Sequence, residues 1–145
     1  MAKKTVSIET SMEKGFKLVS QLGNHTMVVD QPTAGGGTDA GPNPLQYFML
    51  SLAGCISAIA RIAATQKKIT LRSIKLTVQG ELDTDALMGV SQDVRSGFGA
   101  IEVTAEINAD LSDEEKRAFL EEVDARCPIS ENIAKITPVS IRLGE

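Results

Sequence analysis

Two cysteines, Cys55 and Cys127, are the only thiols in the chain, and their settings differ. Cys55 sits near the middle of a long apolar run between Leu45 and Thr65. Cys127 directly precedes Pro128. A thiolate is a nucleophile and a metal ligand, and in a reducing compartment a Cys pair is more often catalytic, redox-active or metal-binding than a structural staple. On the residues alone three readings stay open. The two can be unrelated buried cysteines, since free Cys is among the most buried residue types. They can hold a metal, although one His, no CxxC and no close set of ligands argue against that. They can form a redox pair, a nucleophilic thiol and a resolving thiol. The positions suit the last reading: one thiol is fixed within a helix, and the other is at a helix end beside a proline, where the chain can shift.

The elements that must position them follow from the pattern. Pro42 and Pro44 set the start of a helix over the run to Thr65, because first-turn N–H groups lack intrahelical partners anyway. Leu45, Phe48, Leu52, Cys55, Ile59 and Ile62 recur at three- and four-residue steps. Tyr47, Met49, Leu50, Ile56, Ala60 and Ala63 cover most of the remaining circumference, so this helix is expected to be buried nearly all round. Before it, Thr5–Glu9, Gly15–Gln21 and His25–Asp30 read as three strands of an antiparallel meander. Gln31–Asn43, with three consecutive glycines, reads as a flexible connector. It lacks the pattern of a phosphate-binding loop. After the helix and a polar exit at Thr65–Lys68, Leu71–Leu82 and Phe98–Asn108 alternate as strands expected to pair across the polar loop Asp83–Gly97. Ser112 to Glu115 is a capping-box signature opening a helix that carries Phe119, Leu120 and Val123 and ends before Pro128. A short helix, Ile129–Lys135, and a last strand, Thr137–Leu143, complete the chain.

At 145 residues a single domain over 1–145 is expected. The net charge of −4 supplies no basic footprint, which argues against nucleic acid. Met1-Ala-Lys-Lys leads into an alternating segment rather than an apolar run, which favours a cytoplasmic protein. Leu45–Ala64 is long enough to span a bilayer. Gln46 and Arg61 within it argue against a span, an arginine there costing roughly 2.5 kcal/mol or more.

Gly41-Pro42-Asn43-Pro44 leading into Leu52-Ala53-Gly54-Cys55, followed at a distance by Cys127-Pro128-Ile129, resembles the OsmC/Ohr family of osmotically inducible and organic-hydroperoxide-resistance proteins. The order of elements agrees over essentially the whole chain. The resemblance implies an α+β fold, with antiparallel sheets around a long central Cys-bearing helix in an intertwined homodimer. It implies active sites at the dimer interface, with no metal or bound cofactor. Carried over, Cys55 is the peroxidatic residue, oxidised to a sulfenic acid by an organic hydroperoxide. Cys127 is the resolving residue, and a thiol or lipoyl reductant restores the pair.

The chain departs from the family pattern at the activators. The organic-hydroperoxide branch has Glu directly after the second Pro, where this chain has Leu45. A related branch has an acid one residue later, where this chain has Gln46. The branch also uses an Arg on an N-terminal strand, and no Arg precedes Arg61 here. A thiol among Phe48, Leu52 and Ile59 has its pKa raised by burial, so an activating group is needed from elsewhere. Gln46, Arg95 and Arg126 are the candidates, with Lys14 and Lys17 behind them. Arg61 lies about 240° around the helix from Cys55 and points away. His25 reads as a strand-end residue, and Ser51 and Ser57 as packing residues. The expected function is a thiol-dependent peroxidase for organic hydroperoxides. The alternative is a dimer of the same fold, with weak or no peroxidase activity, that binds a small apolar ligand.

Overall fold

The computed structural model describes residues 2–144. By its internal packing the chain divides into two compact units, one ending at Phe48 and one beginning at Met49.

The first unit is a three-stranded antiparallel meander, β1 (Ser11–Met12), β2 (Leu18–Leu22) and β3 (His25–Val29), in the order β1-β2-β3. Leu18 pairs with Val29 and Leu22 with His25. The expected first strand, Thr5–Glu9, is not one: Val6 and Ile8 are 78% and 67% exposed, and pairing begins only at Ser11. Among the described residues its alternation finds no neighbouring strand. The Ser20 hydroxyl reaches it, donating to the Glu9 carbonyl at 3.2 Å.

The segment after β3 is held, in contrast to the flexible connector expected. Asp30 is buried, and its carboxylate accepts the N–H groups of Gln31, Thr38 and Ala40 and the Thr38 hydroxyl. These bonds, that of the Thr38 hydroxyl foremost, hold the carboxyl at about 2. The glycines permit the winding. A Cβ on Gly37 would lie 2.1 Å from the Gln31 carbonyl oxygen, and one on Gly41 would lie 2.3 Å from that of Val28. The segment delivers the chain to α1 (Pro44–Gln66), whose first turn is closed reciprocally. The Gln46 N–H donates to Asn43 Oδ1, and the Asn43 N–H donates to Gln46 Oε1, each at 2.9 Å.

The second unit packs the rest of α1 with β4 (Ser73–Gly80), the one-turn α2 (Thr84–Leu87), β5 (Ile101–Asn108), α3 (Asp113–Arg126) and α4 (Pro128–Ala134). β4 and β5 pair antiparallel in full register, from Ser73 opposite Asn108 to Gly80 opposite Ile101. Ile74, Leu76, Val78, Ile101, Val103 and Ile107 turn inward, as alternation predicts. The connection is long, as expected, and carries α2, which the sequence reading leaves within a loop. α3 begins at Ser112, whose hydroxyl accepts the Glu115 N–H at 3.1 Å. Leu52, Ile56, Ala60, Ala63 and Ala64 of α1 meet Leu71, Ala109, Phe119, Val123 and Cys127 in one core.

Two expectations change here. α1 is not buried all round: Leu50 is 62% and Ile62 44% exposed, because one chain covers only one side of it. The last strand, Thr137–Leu143, is absent as a strand. Val139, Ile141 and Leu143 are more than four-fifths exposed, with no strand partner among the described residues. By length and composition α1 is apolar enough to cross a membrane, and its buried face belongs to the core just described.

Candidate active site

Cys55 faces the core from the middle of α1, partly buried and flanked by Gly54. A Cβ on Gly54 would meet nothing within 4 Å, so this side of the helix is open. Cys127 is fully buried and is shared by two helices. It closes α3 and caps α4, with φ −81° and ψ 111°. The reason is local. Pro128 disfavours helical geometry at residue 127, yet itself fits the first turn of a new helix. The main chain must therefore bend at Cys127. The bend turns the sulfur toward α1, where it lies 2.8 Å from the Cys55 sulfur in a shared hydrogen bond.

The bend is tied on every side, although a proline-flanked helix end suggests mobility. The Cys127 N–H donates to the Asp124 carbonyl at 3.1 Å, and the Glu131 N–H donates to the Cys127 carbonyl at 3.0 Å. The Ser130 N–H donates to the Cys127 sulfur at 3.4 Å, and the Ser130 hydroxyl donates to the Asp124 carboxylate. Burial, and then the adjoining Cys127 sulfur, push the Cys55 thiol above the ordinary thiol range. The Ile129 backbone N–H, aimed at Cys55 from the start of α4, pulls it the other way.

Two of the candidate activators, Gln46 and Arg126, are engaged elsewhere. Gln46 closes the first turn of α1 nine residues before Cys55, about 13.5 Å along the helix axis. Arg126, though next to Cys127 in sequence, donates to Glu122 at 3.1 Å and to Gln66 at 3.0 Å. Lys67 pairs with the same Glu122, whose carboxyl is held low chiefly by that lysine. Arg95 is exposed on the β4–β5 connection, and Lys14 and Lys17 are exposed on the meander. Arg61 donates to the Leu71 carbonyl at 2.6 Å, consistent with its position on the far side of α1. His25 opens β3 opposite Leu22.

The local donors to the sulfurs are thus main-chain amides, Ile129 to Cys55 and Ser130 to Cys127. A sequence reading centred on charged side chains passes over them. The available signal was Pro128: a proline at the first helical position makes the preceding residue a cap, and a capping side chain receives the amide two or three residues on.

An α+β chain whose long central helix brings one cysteine against a second, at a helix-to-helix bend, defines a dithiol protein. The particular family is shown by comparison: residues 36–142 match the OsmC-like protein family, and the chain belongs to it. Among curated proteins it is similar to a hydroperoxide reductase of Mycoplasma genitalium, 32% identical over 88 residues, which are 61% of this chain and 59% of that protein. It is also similar to a hydroperoxide reductase of Mycoplasma pneumoniae, 27% identical over 107 residues, 74% of this chain and 72% of that one. Among solved structures, the OsmC-like protein of Mycoplasma pneumoniae superposes with a TM-score of 0.80 at 23% identity, over 93% of this chain and 91% of that one. The α+β fold with antiparallel sheets and a long helix, expected from the family resemblance, is thereby established.

Proposed function

We propose that this chain is a cytosolic, homodimeric, cysteine-based peroxidase that reduces organic hydroperoxides. The observation that carries the reading is the contact of the two sulfurs at 2.8 Å, with Cys55 partly open and Cys127 wholly buried. Cys55 is the thiol a peroxide can reach. Its thiolate attacks the terminal peroxide oxygen, becomes a sulfenic acid and releases the alcohol. Cys127 then displaces the hydroxyl as water and forms a disulfide. A thiol or lipoyl reductant returns both sulfurs to the thiol state. The apolar residues around Cys55 favour a substrate with an alkyl or acyl tail, which gains by burial. The relatives named as hydroperoxide reductases support this class of reaction.

The homodimer is supported by what one chain leaves uncovered. Residues 5–9 and 137–143 alternate as strands yet pair with no strand among the described residues, and one side of α1 keeps Leu50 and Ile62 exposed. Unpaired apolar segments of this kind are normally covered. Sedimentation of the intact protein tests this, with a dimer expected at micromolar concentration and a monomer counting against it.

The deciding experiment for the activity treats fully reduced protein with one equivalent of cumene hydroperoxide, and separately with hydrogen peroxide. Loss of both thiols and a Cys55–Cys127 link are expected, faster with the organic peroxide. Two free thiols after minutes would sink the reading. One observation favours a second reading, an apolar-ligand protein of the same fold: burial raises the Cys55 thiol, and no side-chain cation offsets it. Saturable binding of an apolar fluorophore by protein inert to peroxide would support that alternative.

A further inference from the structure

We propose that Asp124 and Ser130 are positioning residues for the resolving step, forming a staple that holds the Cys127 thiol against Cys55. The proposal rests on the reading of Cys55 and Cys127 as a redox pair.

Asp124 lies three residues before Cys127 and Ser130 three residues after it. Asp124 uses both of its acceptors on the bend. Its carbonyl takes the Cys127 N–H, and its carboxylate takes the Ser130 hydroxyl. Ser130 likewise uses both of its donors, the hydroxyl to Asp124 and the N–H to the Cys127 sulfur. The side-chain bond therefore closes a ring around the cysteine, with the sulfur held inside it at 2.8 Å from its partner. The side-chain bond adds to the Glu131 N–H on the Cys127 carbonyl and to the packing of Ile129 and Ile133 against the core. α4 has seven residues, none of them fully buried, and Pro128 contributes no N–H. So short a helix frays readily without its cap.

Position matters here because the Cys55 sulfenic acid has two fates. The Cys127 thiol can attack it, forming the S–S bond while the sulfenic hydroxyl leaves as water with the thiol proton. A second hydroperoxide can instead transfer an oxygen to it, giving the sulfinic acid and releasing the alcohol. The first route is intramolecular, and its rate follows the effective concentration of Cys127 at Cys55. The second grows with the hydroperoxide present. The staple thus sets the hydroperoxide concentration at which the protein stops cycling and becomes irreversibly oxidised.

The test uses Ser130→Ala and Asp124→Ala, which remove the bond from either side. Ser130→Thr keeps the hydroxyl donor and Asp124→Asn keeps a carbonyl acceptor. In the first arm the full-length proteins are equilibrated in glutathione buffers, where the dithiol and one glutathione disulfide give the protein disulfide and two glutathiones. Both alanine variants are expected to shift this equilibrium toward the dithiol by about tenfold, while the threonine and asparagine variants stay within about threefold of wild type. In the second arm intact mass is followed against cumene hydroperoxide. The alanine variants are expected to gain the sulfinic acid at about tenfold lower hydroperoxide. Alanine variants that match wild type in the glutathione arm overturn the staple, as do conservative variants as impaired as the alanines. The arms separate this proposal from the activity it rests on. A staple effect in glutathione without any reaction with hydroperoxide sinks the peroxidase and leaves the staple, and hydroperoxide turnover without a staple effect does the reverse.

Discussion

Two bends in this chain are each organised around one buried acceptor, Asp30 before α1 and Cys127 between α3 and α4. Both gather main-chain N–H groups that would otherwise be orphaned. Asp30 takes the N–H groups of Gln31, Thr38 and Ala40 together with the Thr38 hydroxyl. Cys127 takes the Ser130 N–H and touches Cys55. The carboxylate is charged and fully engaged, so it fixes the main chain and has no capacity left for chemistry. The sulfur is a weak acceptor held by one long hydrogen bond and one short contact, and it can still be oxidised. Under the proposed function, the same architectural device serves structure when the acceptor is hard and saturated, and reactivity when it is soft and only partly satisfied.

The largest expected effect breaks the first bend. Asp30→Ala strands four donors of the bend, and thermal unfolding should fall by an amount on the order of 10 °C. Asp30→Asn should fall less, because one acceptor remains. The wild type should show the pH dependence of a depressed carboxyl: stability present above its unfolded value near 4 and lost as pH falls through about 2. The advantage over Asp30→Asn should therefore shrink across that window, and a constant gap in denaturant titrations from pH 5 to 2 would contradict the assignment.

At the second bend, Cys127→Ser exchanges the soft acceptor for a hydroxyl, a preferred helix cap. It should fold at least as stably as wild type yet form no intramolecular disulfide, leaving a Cys55 sulfenic acid that dimedone traps. Trapping no greater than in wild type would show that Cys127 does not resolve Cys55. The raised thiol gives a subtler effect. Alkylation of Cys55 by iodoacetamide should climb with pH to a midpoint above the ordinary thiol range, and at neutral pH it should be several-fold slower than for a free thiol. The sign follows from burial favouring the neutral form. A midpoint below 8 would mean that the α4 amides outweigh burial. The smallest effect is a control cap: Ser112→Ala, at the start of α3, should cost about 1 kcal/mol without changing any thiol chemistry.

The paired elements were legible because alternation and capping are local. β3, β4, β5 and α3 follow their residues closely, and Ser112 caps as its spacing predicts. Thr5–Glu9 and Thr137–Leu143 carry the same alternation and are not strands here. A period of two names a buried face but supplies no neighbour. The Gln31–Asn43 segment looked flexible from its glycines. Gly37 and Gly41 instead allow close main-chain approach around Asp30, a contact invisible to composition. Arg126 stands beside Cys127 in sequence and is, with Gln46 and Arg95, a candidate activator. Its guanidinium is drawn to Glu122 and Gln66 instead, because i and i+4 share a helix face whereas adjacent residues do not.

By itself the sequence determined which residue types are available to react and where the chain must bend: two thiols, one inside an apolar helix, the other before a proline that cannot follow a helical residue comfortably. Only the tertiary structure decided that the two meet. Cys55 and Cys127 are 72 residues apart, and packing of Phe119 and Val123 of α3 with Leu52 and Ile56 of α1 in one core brings the sulfurs to 2.8 Å. Local propensity acts over a few residues, whereas that approach depends on burial summed over two helices and the sheet between them in sequence.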